Sequence, residues 1–255
     1  MPTRLDDNLV VSLIGASWVL RLAMAMGVNV ALAGVSYKLR ALDRSGWIAA
    51  TAIGTVVLGF LGWQGYFLLV LFFLLGSIAT RVGYRSKARR GVAEEASGRR
   101  SAWSVLANGS VAAACALFSV VTPFSELFTL AFAAAVAAAT ADTLESEIGQ
   151  LRGGPTLLIT TLKPVPVGTD GGISAAGTAA GALGSLVVAA CGGVLGLYPP
   201  RLVTVVALAG LTATLLESGM GASLERRGRV GNDTVNLFNT LSGALLAVGL
   251  VRFLS

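Results

Sequence analysis

Apolar residues form long runs along this chain, and polar residues gather in the segments between them. A helix needs about 20 mostly apolar residues to cross a bilayer. Eight runs are long enough, and they cover residues 9–36, 47–62, 65–80, 103–121, 125–141, 173–195, 201–217 and 234–252. Arg21 interrupts the first run, which is either one long tilted helix or an interfacial segment followed by a short span. The pattern predicts an all-α, polytopic integral membrane protein with about 7–8 transmembrane helices in a single domain, residues 1–255.

Composition narrows the chemistry that such a protein can perform. Hydrophobic residues make up 55% of the chain and charged residues only 13%, about half the share in an ordinary soluble domain. This composition excludes a soluble globular enzyme. The chain has no histidine, so the commonest general base and zinc ligand are absent. No lysine follows the glycine pattern of a P-loop, and any nucleotide must therefore be bound in another way.

The polar connections divide unequally between the two membrane faces. If the helices alternate in direction, the connections 37–46, 81–102, 142–172 and 218–233 share one face, which holds fifteen of the 19 basic residues. Loops rich in Lys and Arg stay in the cytoplasm. We therefore expect cytoplasmic polar loops, in a prokaryotic cytoplasmic membrane or a thylakoid or other plastid membrane. The net charge of +6 then reflects loop asymmetry and anionic lipid headgroups rather than a nucleic-acid partner.

Asn108 is the first polar residue that the membrane pattern does not explain. It lies inside an apolar helix, where a carboxamide costs free energy unless it bonds a neighbouring helix or a ligand. Arg100 precedes it by eight residues, close to the same helical face if the helix begins that early. The other arginines of the 81–102 connection are equally well explained as a solvated anchor for two helix ends.

The end of the alanine-rich run carries a second polar group, ADTLESEIG at residues 141–149. Asp142 and Ser146 are spaced i, i+4, as are Thr143 and Glu147, so two neighbouring stripes of oxygen atoms reach the membrane surface. Oxygen ligands in small number suit Mg²⁺ when phosphate and water complete its coordination. Carboxylates at a helix C-terminus oppose the helix dipole, which favours a bound cation over a purely structural role.

A third group, TLKPVPVGTDGG at residues 161–172, combines a lysine with prolines and glycines. The prolines stiffen the approach, and the glycines permit backbone angles that other residues avoid. A helix begins just afterwards, with unpaired amides at its first turn. Lys163, Thr161, Thr169 and these amides predict a phosphate cradle, although glycines before a helix are common in any turn.

The last polar connection begins and ends with further candidate ligands. Glu217 and Ser218 close one apolar run with the acid-hydroxyl pair already seen at Asp142 and Thr143, which suggests a duplicated metal site. Asn232, Asn236 and Asn239 lie on one face of the next helix. Such an amide stripe most often bonds neighbouring helices, but facing carboxylates it can also hold an ion or a base.

Together these segments resemble the phytyl-phosphate kinases of tocopherol synthesis and their membrane homologues, a group similar to the CTP-using polyprenol kinases and CDP-lipid synthases. The resemblance runs from about residue 81 to the C-terminus, whereas residues 1–60 match only in being hydrophobic. The family pattern usually has Asp where this chain has Glu217, and Asn or Ser where it has Asp170. The matching segments are RSAWSVLANG (100–109), ADTLESEIG (141–149), LITTLKPVPVGTDGGIS (158–174), ESGMGA (217–222) and NDTVNLF (232–238).

The resemblance implies transfer of the terminal phosphoryl group of CTP, or of another nucleoside triphosphate, to an isoprenoid monophosphate such as phytyl phosphate. It implies a magnesium-dependent kinase whose partners are the nucleotide, the isoprenoid phosphate and the bilayer, and it leaves a homodimer open. Phosphoryl transfer needs mainly positioning and neutralisation of charge, so a protein without histidine is equipped for it. The implied catalytic residues are Asp142, Glu147 and Lys163, and the implied metal ligands are Asp142, Glu147, Glu217 and Asn236.

The remaining candidate residues are assigned to the nucleotide and the phosphates. Lys163, Thr161 and the loop amides would hold the donor phosphates, while Lys87 and Arg100 would receive the acceptor phosphate or close over the transition state. The full set comprises Lys87, Arg100, Asn108, Thr161, Gly168, Thr169, Gly171, Gly172 and Asn232.

Other functions remain open at this stage. Attack on the α-phosphate of CTP by a cytidylyltransferase would give a CDP-lipid and needs the same metal and cradle. A non-catalytic lipid-phosphate carrier or membrane scaffold fits the spans, but does not explain why the polar motifs share one face. A transporter is disfavoured because the spans are largely free of polar residues at mid-depth.

Overall fold

In a computed structural model the described residues, 7–93 and 98–254, are almost entirely helical, and side chains are described from residue 17 onward. The helices are α1 (Asp7–Lys38), α2 (Arg44–Arg81), α3 (Tyr84–Arg89), α4 (Ala102–Val121), α5 (Ser125–Arg152), α6 (Ala175–Val194), α7 (Val203–Met220) and α8 (Asn232–Leu254). A 3₁₀ turn (Pro200–Leu202) precedes α7, and a π-helical turn (Gly221–Glu225) follows it. Within the described ranges, seven helices are long and apolar enough to cross a membrane. The prediction of an all-α polytopic membrane protein is confirmed.

The predicted runs 47–62 and 65–80 are both present as two helical segments of α2, which are joined at the non-helical Gly62. Gly62 has φ 66°, a left-handed conformation that glycine adopts without the steric penalty of a side chain. The segments 44–61 and 63–81 fold back on each other, because Gly46 in the first and Gly76 in the second both pack against Arg100. The seven long helices therefore account for all eight predicted apolar runs, because α2 contains two of them.

Helix α5 forms the centre of the bundle and packs against α2, α4, α6, α7 and α8. Its middle is a run of alanines, and alanine lets neighbouring helices approach closely in a membrane. On α8, a Cβ added at Gly243 would lie 2.8 Å from the carbonyl oxygen of Ala134, so the two backbones are nearly in contact. This packing holds the end of α5, with its acidic residues, in the middle of the polar face.

A small antiparallel sheet follows α5, which the prediction of an all-α protein did not anticipate. Its strands are β1 (Thr156–Leu158), β2 (Pro164–Val165) and β3 (Gly172–Ile173), in the order β2-β1-β3. Leu157 pairs with both Pro164 and Ile173. The strands are too short for a periodic pattern to reveal them, and proline is compatible with the edge position of β2. The sheet folds residues 166–171 back toward the helix ends.

The connections before α2 and before α4 are bonded to each other. The amide of Arg100 donates to the carbonyl of Ala41 (3.0 Å), and the amide of Asp43 donates to the carbonyl of Arg100 (3.1 Å). Asp43 also caps α2 by accepting from the Gly46 amide (2.7 Å). This hydrogen bond, together with one from the Ser45 hydroxyl, holds the pKa of Asp43 below its usual value. The backbone of Arg100 is thus anchored where α2 and α4 begin.

Candidate active site

A polar cavity of about 210 Å³ opens where the helix ends meet. The polar cavity is lined by Thr80 on α2, Gly98 and Arg100 before α4, Ser104 and Asn108 within α4, several residues between 142 and 150 on α5, residues 167–172 between β2 and the start of β3, Glu217 and Ser218 at the end of α7, Glu225 beyond it, and Asn232 and Asn236 on α8. All four segments that resemble the kinase family within α4, α5, α7 and α8 contribute side chains to it. Helix ends from separate parts of the sequence, between Arg100 and Asn236, therefore form one site.

Carboxylates form one wall of the polar cavity. Asp142, Glu145 and Glu217 line it, and Asp142, Glu145 and Glu225 all interact electrostatically with Glu217. Mutual repulsion between close carboxylates is relieved when a cation binds among them. The wall therefore has the charge expected of a cation site.

Glu145 was not among the predicted site residues, although it lies in the same helical turn as Asp142. Its side chain is 7% exposed, and its Oε1 accepts a hydrogen bond from the Thr178 hydroxyl (2.8 Å). Its Oε2 is buried and has no hydrogen-bonding partner among the residues that the structure describes. A buried oxygen without a partner is costly, so this atom is suited to a ligand that supplies positive charge or a donor. The i, i+3 spacing from Asp142 was the signal available in the sequence.

The donor set around Asp142 is compatible with Mg²⁺. Within residues 7–93 and 98–254, no group of three acidic or sulfur side chains is close enough to hold an ion by itself. Mg²⁺ usually binds through one or two carboxylates, and it keeps several water molecules and substrate phosphate oxygens. Two carboxylates from among Asp142, Glu145 and Glu217 would be enough for this mode of binding, with phosphate oxygens and water as the other ligands. Asn236 also lines the polar cavity.

Lys87 and Glu147 form a buried ion pair at the edge of the polar cavity. The ammonium group of Lys87 is fully buried and also donates to the carbonyls of Ala79 (3.1 Å) and Thr80 (3.0 Å) at the end of α2. Glu147 lines the polar cavity, but Lys87 does not. Lys87 therefore positions Glu147 and hydrogen-bonds the end of α2. It does not lie where it could contact a phosphate in the polar cavity directly.

Arg100 and Asn108 also line the polar cavity. The guanidinium of Arg100 lies 5.1 Å from the centre of the Phe72 ring. Asn108 is 7% exposed; its amide nitrogen donates to the Ser104 carbonyl (3.0 Å), but its Oδ1 is buried without a hydrogen-bonding partner in the described parts of the chain. The Asn108 oxygen is thus a second buried acceptor available to a ligand.

The loop between β2 and β3, residues 166–171, covers the polar cavity and closes tightly on the end of α7. Gly171 has φ 73°, and a Cβ at this position would overlap the Ala222 amide and the Ser218 carbonyl. The amides of Thr169 and Gly172 donate within the loop, to the carbonyls of Pro166 (3.3 Å) and Thr169 (2.8 Å). Gly168, Thr169, Gly171 and Gly172 all line the polar cavity, and the phosphate cradle itself stays a prediction.

Gly171→Ala is expected to lower both stability and turnover. The left-handed backbone angle alone costs about 1–2 kcal/mol for a residue with a Cβ, and the overlap with α7 adds to it. Gly154→Ala is the matched control, because nothing lies near its added Cβ and its backbone angle is not left-handed. Thermal unfolding in detergent should show a lower melting temperature for Gly171→Ala alone. Equal melting temperatures for the two variants would contradict the close fit of loop and helix.

Two predicted phosphate ligands lie outside the polar cavity. Lys163 and Thr161 are exposed in the turn between β1 and β2, where the Thr161 hydroxyl accepts from the Lys163 amide (3.4 Å). Asn232 and Asn236 line the cavity, whereas Asn239 is buried deeper and donates to the Ala138 carbonyl on α5 (3.1 Å). The amide stripe on α8 is therefore divided between the site and helix packing.

An apolar groove of about 450 Å³ begins where the polar cavity ends. Residues of α1, both segments of α2 and the start of α4 line the apolar groove, and Arg100 and Asn108 line both it and the polar cavity. Leu32, Leu74 and Ile78 at its rim are about half exposed, so the groove opens sideways between α1 and the second segment of α2. A molecule with an anionic head and an apolar chain would fit across the two spaces.

Comparison with known proteins gives matches along most of the chain. The model of a family described as integral membrane protein DUF92 matches residues 27–244, which begins ahead of the motif region. A membrane protein of Synechocystis, described as uncharacterized, is 37% identical over 223 residues, covering 86% of each chain. Protein VTE6, chloroplastic, of Arabidopsis thaliana is 35% identical over 239 residues, covering 91% of this chain and 72% of its own. A membrane protein of Methanocaldococcus jannaschii, also described as uncharacterized, is 35% identical over 230 residues, covering 90% of this chain and 94% of its own. No solved structure matches.

Proposed function

This chain belongs to the DUF92 family of integral membrane proteins. We propose that it is a prenyl-phosphate kinase. The proposed reaction transfers the terminal phosphoryl group of CTP, or of another nucleoside triphosphate, to an isoprenoid monophosphate such as phytyl phosphate. One observation carries the proposal: the polar cavity and the apolar groove meet at Arg100 and Asn108. A membrane-embedded lipid monophosphate is the class of substrate that fills both spaces at once.

The acceptor phosphate binds at the junction of the two spaces. Arg100 supplies positive charge there, and the amide group of Asn108 contributes to the polar surface. A guanidinium group binds phosphate oxygens through directed, charge-assisted hydrogen bonds. The prenyl chain then occupies the apolar groove, which it reaches from the bilayer through the sideways opening.

The donor phosphates occupy the polar cavity between residues 167–172 and the carboxylate wall. Two of the carboxylates of Asp142, Glu145 and Glu217 would hold Mg²⁺ there, with Asn236 also lining the cavity. A bound Mg²⁺ neutralises charge on the donor phosphates. Lys87 acts through Glu147, whose orientation it determines. Lys163 and Thr161 lie outside the cavity, at the turn between β1 and β2.

In the proposed step an oxygen of the prenyl monophosphate attacks the γ-phosphorus of CTP. The bond between this phosphorus and the bridging oxygen of the β-phosphate breaks, and the products are prenyl diphosphate and CDP. The acceptor is already an anion, so no strong base is needed. The chain's lack of histidine is consistent with this requirement. The basic loops support a cytoplasmic position for the site, where nucleotides are available.

The proposal is tested by incubating the detergent-purified protein with phytyl phosphate and CTP labelled at the γ position. A kinase moves the label into the lipid. A cytidylyltransferase moves it into pyrophosphate and leaves the lipid unlabelled unless the α position carries the label. A carrier or scaffold forms neither product. A panel of nucleotides in the same assay identifies the preferred donor.

Arg100→Gln is expected to lower kcat/KM for the prenyl phosphate by about 10- to 100-fold, because a hydrogen bond to a charged group contributes roughly 1.5–3 kcal/mol. The loss should appear mainly in KM for the lipid, with KM for CTP little changed. Arg99→Gln is the matched control, since Arg99 is the neighbouring exposed residue and does not line the polar cavity. Equal KM values for the lipid in the two variants would contradict the placement of the acceptor phosphate at Arg100.

A further inference from the structure

The apolar groove has a polar end. On three of the helical segments that line the groove, one lining residue lies farthest from the polar face of the protein. These residues are Asn29 on α1, Gly54 on the first segment of α2 and Tyr66 on the second segment. The Tyr66 hydroxyl donates to Oδ1 of Asn29 (2.9 Å), and a Cβ at Gly54 would overlap the same oxygen. The deepest residues of three helical segments therefore converge on one point.

Asn29 is well held at this point. It is 3% exposed, and its amide nitrogen donates to the Ala25 carbonyl one turn earlier (2.9 Å). Its oxygen accepts from Tyr66, so both ends of the carboxamide are satisfied. A hydrogen bond between an asparagine and a tyrosine stabilises helix contacts in a membrane. Helix packing alone does not require that this hydrogen bond lie at the end of an apolar groove. Because it does so here, the pair presents a polar surface to whatever fills the groove.

The groove has a definite depth between its two ends. Ser77 lies near the polar end and Tyr66 at the far end of the same helical segment. At a rise of about 1.5 Å per residue, these positions are roughly 16 Å apart along the helix. An extended prenyl chain with its phosphate at Arg100 therefore meets Asn29 and Tyr66 after a limited number of isoprene units. Pushing an apolar chain against a satisfied polar pair gains no burial and risks breaking the hydrogen bond.

We propose that Asn29 and Tyr66 form a chain-length stop, which limits the length of the prenyl chain that the apolar groove accepts. This inference rests on the proposed function only in taking a lipid phosphate as the ligand, since the stop acts on binding and not on phosphoryl transfer. Gly54 contributes because it has no side chain, and the Asn29 oxygen occupies the space where a Cβ would lie.

The test measures binding without nucleotide, by native mass spectrometry of the detergent-solubilised protein with farnesyl, phytyl and geranylfarnesyl monophosphates. The unmodified protein should bind farnesyl and phytyl phosphates more tightly than geranylfarnesyl phosphate, which should bind about tenfold more weakly. Tyr66→Ala removes the ring and hydroxyl from the deep end of the groove. The affinity for geranylfarnesyl phosphate should then rise about tenfold relative to that for phytyl phosphate. Phe67→Ala is the matched control, because Phe67 follows on the same helix, is exposed and does not line the groove.

A second variant tests the stop in the opposite direction. Ala50 lines the groove one turn above Gly54, so Ala50→Leu fills space above the deep end and should shift the preference toward farnesyl phosphate. It also serves if Tyr66→Ala fails to fold. An unchanged chain-length profile in both variants would overturn the stop, as would equal binding of all three lipids, or of none, by the unmodified protein. Binding with the expected profile but without phosphoryl transfer would overturn the proposed function and leave the stop intact.

Discussion

Asp142→Asn should abolish nearly all phosphoryl transfer, with an expected loss of about 10²- to 10³-fold, while the protein still folds. Asp142 lines the polar cavity and interacts electrostatically with Glu217 on the carboxylate wall. A metal ion at such a site contributes several kcal/mol of charge stabilisation, and about 1.4 kcal/mol corresponds to a tenfold change in rate. Asparagine has the same shape but no charge, so packing at the end of α5 should persist. Initial rates with γ-labelled CTP measure the effect.

The matched control is Glu126→Gln at the other end of α5. Glu126 carries the same kind of charge on the same helix, but it is exposed at the opposite membrane face and does not line the polar cavity. Its activity should stay unchanged. A magnesium titration separates ligation from a general electrostatic effect, because loss of a ligand raises the Mg²⁺ concentration needed for half-maximal rate. Full activity of Asp142→Asn at low Mg²⁺ would exclude Asp142 as a ligand.

Lys87→Met is expected to destabilise the protein by about 3–5 kcal/mol, because it leaves the buried Glu147 carboxylate without its cation. Both side chains of this ion pair are buried, and Lys87 also satisfies two carbonyls at the end of α2. Thermal unfolding in detergent should show a large drop in melting temperature. Arg85→Met, on the same short helix but exposed, should change stability by no more than about 0.5 kcal/mol.

The double variant Lys87→Met, Glu147→Gln tests whether the pair acts as a unit. Removing both charges eliminates the uncompensated carboxylate, so the double variant should be more stable than Lys87→Met alone. It also separates two roles for Lys87. If Lys87 contacted the acceptor phosphate directly, restored stability would leave KM for the lipid strongly raised. The structure predicts that KM for the lipid changes little once the fold is restored. A double variant no more stable than the single one would contradict the ion-pair account.

Several features of this fold follow from local sequence alone. Long apolar runs form helices in a bilayer because every backbone polar group must be hydrogen-bonded within the protein. The predicted runs accordingly lie in the described helices from residue 7 onward. The convergence of the polar connections is equally local in origin, since alternating spans leave every second connection on the same face. Asn108 was identified because an amide inside an apolar helix needs a partner.

The arrangement of side chains inside the polar cavity could not be predicted from local sequence. Spacing along α5 indicates which residues share a helical face, but it does not show which neighbouring helix covers that face. Glu145 was overlooked for this reason: its burial depends on α6, where Thr178 donates to it. Lys87 shows the converse, because its charge suggested a phosphate ligand while the fold pairs it with Glu147, 60 residues away. The exposed position of Lys163 depends on a sheet whose strands contain only two or three residues each.

The sequence by itself determined that this is a polytopic membrane protein with its polar groups concentrated on one face. Both properties follow from the cost of placing unpaired polar groups in hydrocarbon, which each short segment of sequence must satisfy on its own. Only the tertiary structure decided that the polar cavity and the apolar groove adjoin at Arg100 and Asn108. That junction depends on how α2 folds back at Gly62 and packs beside α1 and α4. Helix packing is a property of surfaces brought together from distant parts of the chain, and no single segment encodes it.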